Sequence, residues 1–163
     1  MKKNIFLSAV VATAITLTGC SSNSRTENSN SEQAKKEENK IILVNESKKG
    51  VKAEITFYYD GDIVTRQDAK NIMTYKDLNM TKDQLKAIID PLSEKYKATK
   101  GVTQNVEFGE TEAVETVSVD YSTVDIKELR QLTGSSFTGD ENATAISLKT
   151  SVEMLKQQGF TEK

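Results

Sequence analysis

Cys20 is the only cysteine of the chain, and it closes the stretch Leu17-Thr18-Gly19-Cys20. A thiol in that setting suits one reaction, alkylation by a diacylglyceryl group to give a thioether. Thr18 and Gly19 are small, as required by a peptidase that cuts just before the modified cysteine. Ahead of them lie the positive charges of Lys2 and Lys3 and an apolar run from Ile5 to Leu17, broken only by Ser8, Thr13 and Thr16. This three-part order is that of a signal peptide. The run is also shorter than the about 20 residues a spanning helix needs. The sequence therefore predicts a lipoprotein signal over residues 1–19, with Leu17, Thr18 and Gly19 recognised by the peptidase and Cys20 lipidated. One acyl chain holds a protein only marginally, and two or more anchor it stably, at about 0.8 kcal/mol per buried methylene. A single cysteine forms no internal disulfide. With no histidine in the chain, soft-metal sites built from Cys and His are excluded as well.

The other residues with chemical potential are carboxylates. Asp60 and Asp62, and likewise Glu110 and Glu112, stand two apart. Facing carboxyl groups act as acid and base in hydrolases, so a carboxylate-dependent hydrolase of cell-wall material is one reading. Asp60-Gly61-Asp62 also suggests a hard cation such as Ca²⁺, but it lacks the remaining ligands of a full loop. Both pairs fall at expected turns, where solvated carboxylates are common. The absence of histidine removes the usual base near neutral pH and all Ser-His-Asp or Cys-His systems. No phosphate-binding loop or metalloprotease motif occurs. No catalytic residue, metal ligand or cofactor is assigned from the sequence.

Several elements must position these groups. Residues 20–40 follow the signal as a lipidated cysteine and tether. Ser21 to Lys40 has no large apolar residue, so it cannot repay ordering by burial; its reach is roughly 25 Å. Ile41 to Val44 is a short β-rich run, and Ser47 to Gly50 a turn. Val51, Ala53, Ile55, Phe57 and Tyr59 alternate with Lys52, Glu54, Thr56 and Tyr58, which predicts a half-buried strand. Asp60-Gly61 turns it, and Ile63 to Tyr75 returns with Lys, Arg, Asp and Gln on the solvent face. Thr81 and Gln84 make a capping box, with Met80 and Leu85 as a hydrophobic staple. Leu85, Ile88, Ile89, Leu92 and Tyr96 then form an apolar stripe. Pro91 interrupts it; because the stripe keeps phase, one kinked helix is expected, with a restart at Asp90 as the alternative.

After Gly101, residues Val102, Gln104, Val106 and Phe108 alternate as a strand, and Gly109-Glu110-Thr111 turns it. Val117, Val119 and Tyr121 face inward on the next strand, and Thr116, Ser118 and Asp120 outward. Ile126, Leu129 and Leu132 suggest a short helix stopped by Gly134. Ser135 to Asn142 is a polar loop. Leu148, Val152 and Leu155 form a last helix, with Gly159 at its end and Phe160 packing back on Leu155. The order predicts an α+β domain over residues 41–163. It has an antiparallel sheet of four to five strands, a central kinked helix and two C-terminal helices packed on one face (β-β-β-α-β-β-α-α). The other face of the sheet reads as polar and wet.

From about Tyr58 onward the chain resembles the YehR-like family of small bacterial lipoproteins. The resemblance is carried by Tyr59-Asp60-Gly61-Asp62-Ile63-Val64, by Pro91-Leu92-Ser93-Glu94-Lys95-Tyr96 and by Gly101-Val102. Val119-Asp120, Val124-Asp125, and Ser151 through Leu155 to Gly159-Phe160 complete it. It implies the fold and the address, and it carries no activity and no site residues.

The formal net charge of −2 becomes −4 once Lys2 and Lys3 leave with the signal. Without a basic cluster, this argues against nucleic acid and against a polybasic grip on lipid. The expected partner is the bilayer, through diacylglyceryl-Cys20, on the extracytoplasmic face of a cell membrane. Placement in a single-membrane cell or at an outer membrane stays open, and a monomer is expected. The function read from the sequence is that of a non-enzymatic envelope module. It would bind a protein, peptide or small ligand; Glu54, Thr56 and Tyr58 are expected on the wet face, and a bare sheet face or edge would take an extended peptide or partner protein by strand addition.

Overall fold

Alternating β-branched and aromatic residues draw most of the chain into long strands. A computed structural model describes residues 38–133 and 145–163. Leu17 to Cys20, most of the expected tether and the loop from Ser135 to Asn142 lie outside the described residues. The first three strands are β1 (Asn39–Asn45), β2 (Val51–Asp60) and β3 (Ile63–Thr74). A short helix α1 (Tyr75–Leu78) and a long one, α2 (Lys82–Ala98), follow. Next come β4 (Val102–Phe108), β5 (Glu112–Asp120) and α3 (Ile126–Thr133), then β6 (Ile146–Ser147), α4 (Leu148–Gln157) and β7 (Thr161–Glu162). The strands form one antiparallel sheet in the order β4-β5-β3-β2-β1-β7, and β6 pairs with the start of β3.

The α+β class, the antiparallel pairing and the helices on one face match expectation. The strand count does not: the described residues form seven strands rather than four to five. The two extra strands are two-residue pieces, β6 and β7, too short to carry any periodicity. The sheet also begins at Asn39, paired with Tyr59, so Asn39 and Lys40 belong to β1 rather than to the tether. The return strand ends at Thr74, because Tyr75 opens α1, which Asn79 closes in the left-handed conformation at φ 54°.

A bulge between Tyr58 and Tyr59 corrects the expected faces of β3. Tyr58 pairs with Arg66 and Tyr59 with Val64, leaving Thr65 as the extra residue. The extra residue shifts the phase of alternation, so Val64 and Gln67 both point into the core. Gln67, expected among the solvent-facing residues, is buried and accepts a hydrogen bond from the Tyr121 hydroxyl at 3.0 Å.

Helix α2 is continuous through Pro91, which rules out the restart. The proline and Ala87, whose carbonyl loses its donor, are both exposed, so that carbonyl is open to solvent and the lost bond costs little. Both halves of the capping box form, at 3.2 Å from Gln84 N to Thr81 Oγ1 and 2.9 Å from Thr81 N to Gln84 Oε1. Leu85, Ile89 and Tyr96 are buried and Leu92 packs against the cluster that holds Tyr96, but Ile88 is exposed. At 3.6 residues per turn it stands about 70° off the centre of the arc set by the other four. At the far end, Phe160 N donates to Leu155 O at 3.0 Å with Gly159 at φ 90°, the expected stop.

The helix-side core divides in two. One cluster gathers Leu43, Ile55, Phe57, Tyr96, Val119, Leu129 and Leu155. The other gathers Met73, Tyr75, Leu85, Ile89 and Ala113. Between them runs a polar row made of Asn71 on β3, Glu115 on β5 and Gln104 on β4.

Candidate functional site

The sequence-predicted carboxylates do not converge. Asp62 immediately precedes β3 and Glu112 pairs with Thr74 at the end of that strand, so the two pairs lie roughly 35 Å apart at 3.3 Å per residue. That is far beyond the 5–9.5 Å of glycosidase carboxylates. Asp62 has another task. Its Oδ1 accepts from Lys149 N at 2.8 Å and its Oδ2 from Ser147 Oγ at 2.8 Å, while its carbonyl accepts from Leu148 N at 2.8 Å. It holds the first turn of α4 from across the hairpin, where a negative charge also suits the helix dipole. Among the described residues no three acidic or sulfur side chains gather into a metal-binding group.

The solvent face of the sheet is polar, as read from the sequence. Glu54, Thr56, Arg66, Asp68, Lys70 and Asn105 line an open groove there of about 520 Å³. Its charges largely pair among themselves. Arg66 lies over the Tyr58 ring at 3.7 Å and near Asp68 at 3.6 Å, and Lys163 Nζ donates to Glu54 at 3.1 Å. Ser118 Oγ donates to Asp68 at 2.6 Å.

The outer edge of β4 is different. Asp120 N donates to Gly101 O at 2.8 Å and Gly109 N to Glu112 O at 2.9 Å. These two bonds fix which residues of β4 bond inward to β5, namely the odd-numbered ones. Gln104, Val106 and Phe108 therefore turn their N–H and C=O groups outward. Among the described residues no strand pairs with that edge. The Phe108 carbonyl accepts from Lys82 Nζ at 2.8 Å. β4 also carries no lysine, proline or bulge, the usual guards of a free edge.

Helix α2 runs beside this edge, and between them lies a groove of about 430 Å³. Val106, Phe108 and Gln104 line one side; Lys86, Asp90, Ser93 and Glu94 line the other. The helix charges are paired, Lys86 with Asp90 at 3.0 Å and Lys97 with Glu94 at 2.9 Å. Lys86 also stands 5.2 Å from the Phe108 ring. Behind the groove sits Glu115, only 4% exposed. Asn71 Nδ2 donates to its Oε2 at 2.8 Å, and Gln104 Nε2 donates to its Oε1. The nearby Tyr96 hydroxyl is pushed up to about 12, first by burial and then by the negative charge of Glu115.

The sequence puts Gln104 in the alternating set of β4 and does not single out Glu115. The signal was present: alternation of Val117, Val119 and Tyr121 carried two residues back places Glu115 inward.

Among the described residues, no helix is long and apolar enough to cross a membrane. Residues 43–161 match the model of a protein family of unknown function, DUF1307. An uncharacterised lipoprotein of Listeria innocua is 38% identical over 128 residues, covering 78% of this chain and 82% of the relative. The uncharacterised lipoprotein YehR of Escherichia coli is 30% identical over 128 residues, with the same coverage of 78% and 82%. The NMR structure of E. coli YehR superposes with a TM-score of 0.64 at 25% identity, over 77% of this chain and 91% of that one. An NMR structure from Streptococcus pneumoniae shares the fold at a TM-score of 0.56 and 17% identity, over 91% and 99% of the two chains. With the expected hairpin, helix and C-terminal stop in place, and with relatives matched along most of its length, the chain belongs to the YehR-like family of bacterial lipoproteins.

Proposed function

We propose that this protein is an envelope binding module, held at the membrane by a diacylglyceryl group on Cys20, whose domain binds an extended polypeptide by strand addition to β4. One observation carries the reading: β4 offers the outward N–H and C=O groups of Gln104 and Val106 and the N–H of Phe108 beside a groove walled by α2. Main-chain bonds supply affinity in this mode, at about 1 kcal/mol net each, and pockets for alternate side chains supply selectivity. Lipoprotein relatives support the anchoring half of the reading. The two carboxylate pairs lie at opposite ends of β3, so neither pair faces the other.

The test uses Val106→Pro. Proline is tolerated on an edge strand whose N–H faces solvent, so the fold should survive while the central outward donor disappears. A photocrosslinker at Asn105 in the full-length lipidated chain, in its own envelope, should give one discrete adduct that Val106→Pro abolishes. An adduct unchanged by the proline would sink strand addition at this edge.

A further inference from the structure

We infer that the β4 groove selects an extended segment bearing a lysine or arginine side chain, with Glu115 as the acid that receives it; this rests on the strand-addition reading above. Glu115 is buried, and among the described residues its two oxygens are hydrogen-bonded only by the side-chain amides of Asn71 and Gln104. Amides restore part of the lost hydration but bring no net positive charge. Among the described residues no lysine or arginine forms an ion pair with Glu115. A buried carboxylate without a counter-charge is costly, and here it sits in a break between two apolar clusters, one strand in from an open edge.

Two features join it to that edge. Gln104 lies on β4 itself, lines the groove and holds its amide on Glu115. Val106, central among the outward-turned residues, is the direct cross-strand neighbour of Glu115. A strand added to β4 places alternate side chains on the helix side of the sheet. One opposite Val106 stands two strand spacings, about 9.6 Å, from Glu115. The combined span of a lysine or arginine and a glutamate side chain covers that distance once the Gln104 amide swings aside. The acids of the α2 wall compete poorly, because Asp90 and Glu94 already have lysine partners. A second copy of this chain fits less well: its own β4 would offer Gln104, Val106 and Phe108 on that side, with no cation.

The full-length lipidated chain in nanodiscs is titrated with two end-blocked heptapeptides of alternating valine and threonine. One has lysine at its centre, the other norleucine. Binding is followed by affinity and by the amide resonances of Gln104 and Val106. The lysine peptide should bind at least tenfold tighter, and Glu115→Gln should bring the two within twofold. Equal affinities on the wild-type chain, with the β4 amides shifted, overturn charge selection and leave strand addition standing. That comparison needs no variant, so it holds even where Glu115→Gln does not fold. Unmoved amides with both peptides overturn strand addition and this inference together. A β4-mediated dimer that excludes both peptides assigns the edge to a second copy and overturns the inference too.

Discussion

At the scale of the residue, two side chains read as surface acids or core aromatics have defined electrostatic roles. Asp62 bridges a hairpin to a helix terminus, and hydrogen bonds to a charged acceptor are worth about 1.5–3 kcal/mol. Asp62→Ala should therefore lower unfolding stability by about 2 kcal/mol, read from the denaturant midpoint, with α4 the first element to gain amide exchange. A neutral result would make Asp62 the mere turn residue its sequence position suggests. Tyr96 gives a pH signature. Burial, and then the charge of Glu115, push its hydroxyl up from the ordinary 10.0 to about 12. Because the raised value favours the neutral form in the native state, that contribution is complete below pH 10 and fades as the pH climbs toward 12. Thermal midpoints should fall over this window, and Tyr96→Phe should flatten the fall. Burial also holds the Tyr121 and Tyr75 hydroxyls up, so some alkaline loss should remain in the variant.

At the scale of the element, α2 carries the clearest local code and one built-in defect. The capping box and staple start it where the sequence says. Pro91 sits exposed inside it, and an interior proline costs about 3 kcal/mol relative to alanine. The native helix has already adapted, so Pro91→Ala should stabilise the protein by about 1–3 kcal/mol, measured by denaturant unfolding. A loss of stability would mean that the proline shapes how α2 lies over β4. The strands show the converse. Alternation gives the faces of β2 and β5 correctly, because a strand has period two whatever surrounds it. It failed in β3, where the bulge at Tyr58 and Tyr59 inserts Thr65 and buries Gln67. A bulge arises from the pairing of two strands, so neither strand's sequence announces it.

At the scale of the whole molecule, the sheet has two unlike edges. β7 covers part of the β1 edge at Leu43 and Val44, whereas among the described residues no strand pairs with the outer edge of β4. The tether enters at β1, four strands from β4, or about 19 Å at 4.8 Å per strand. Cys20→Ala should move the protein from the membrane fraction to the soluble one; retention in the membrane would end the anchoring proposal.

The sequence by itself determined the α+β class, the first hairpin, the limits of α2 and the C-terminal stop. Each rests on local causes: alternation, a capping pair, a glycine at positive φ. The expected lipidation at Cys20 is equally local. Tertiary structure alone decided that Asp62 caps α4, that two-residue strands finish the sheet and that Asn71, Glu115 and Gln104 meet between two apolar clusters. It also decided which strand keeps an open edge. These are relations between residues distant in the chain. They follow from strand order and register, which no single segment encodes.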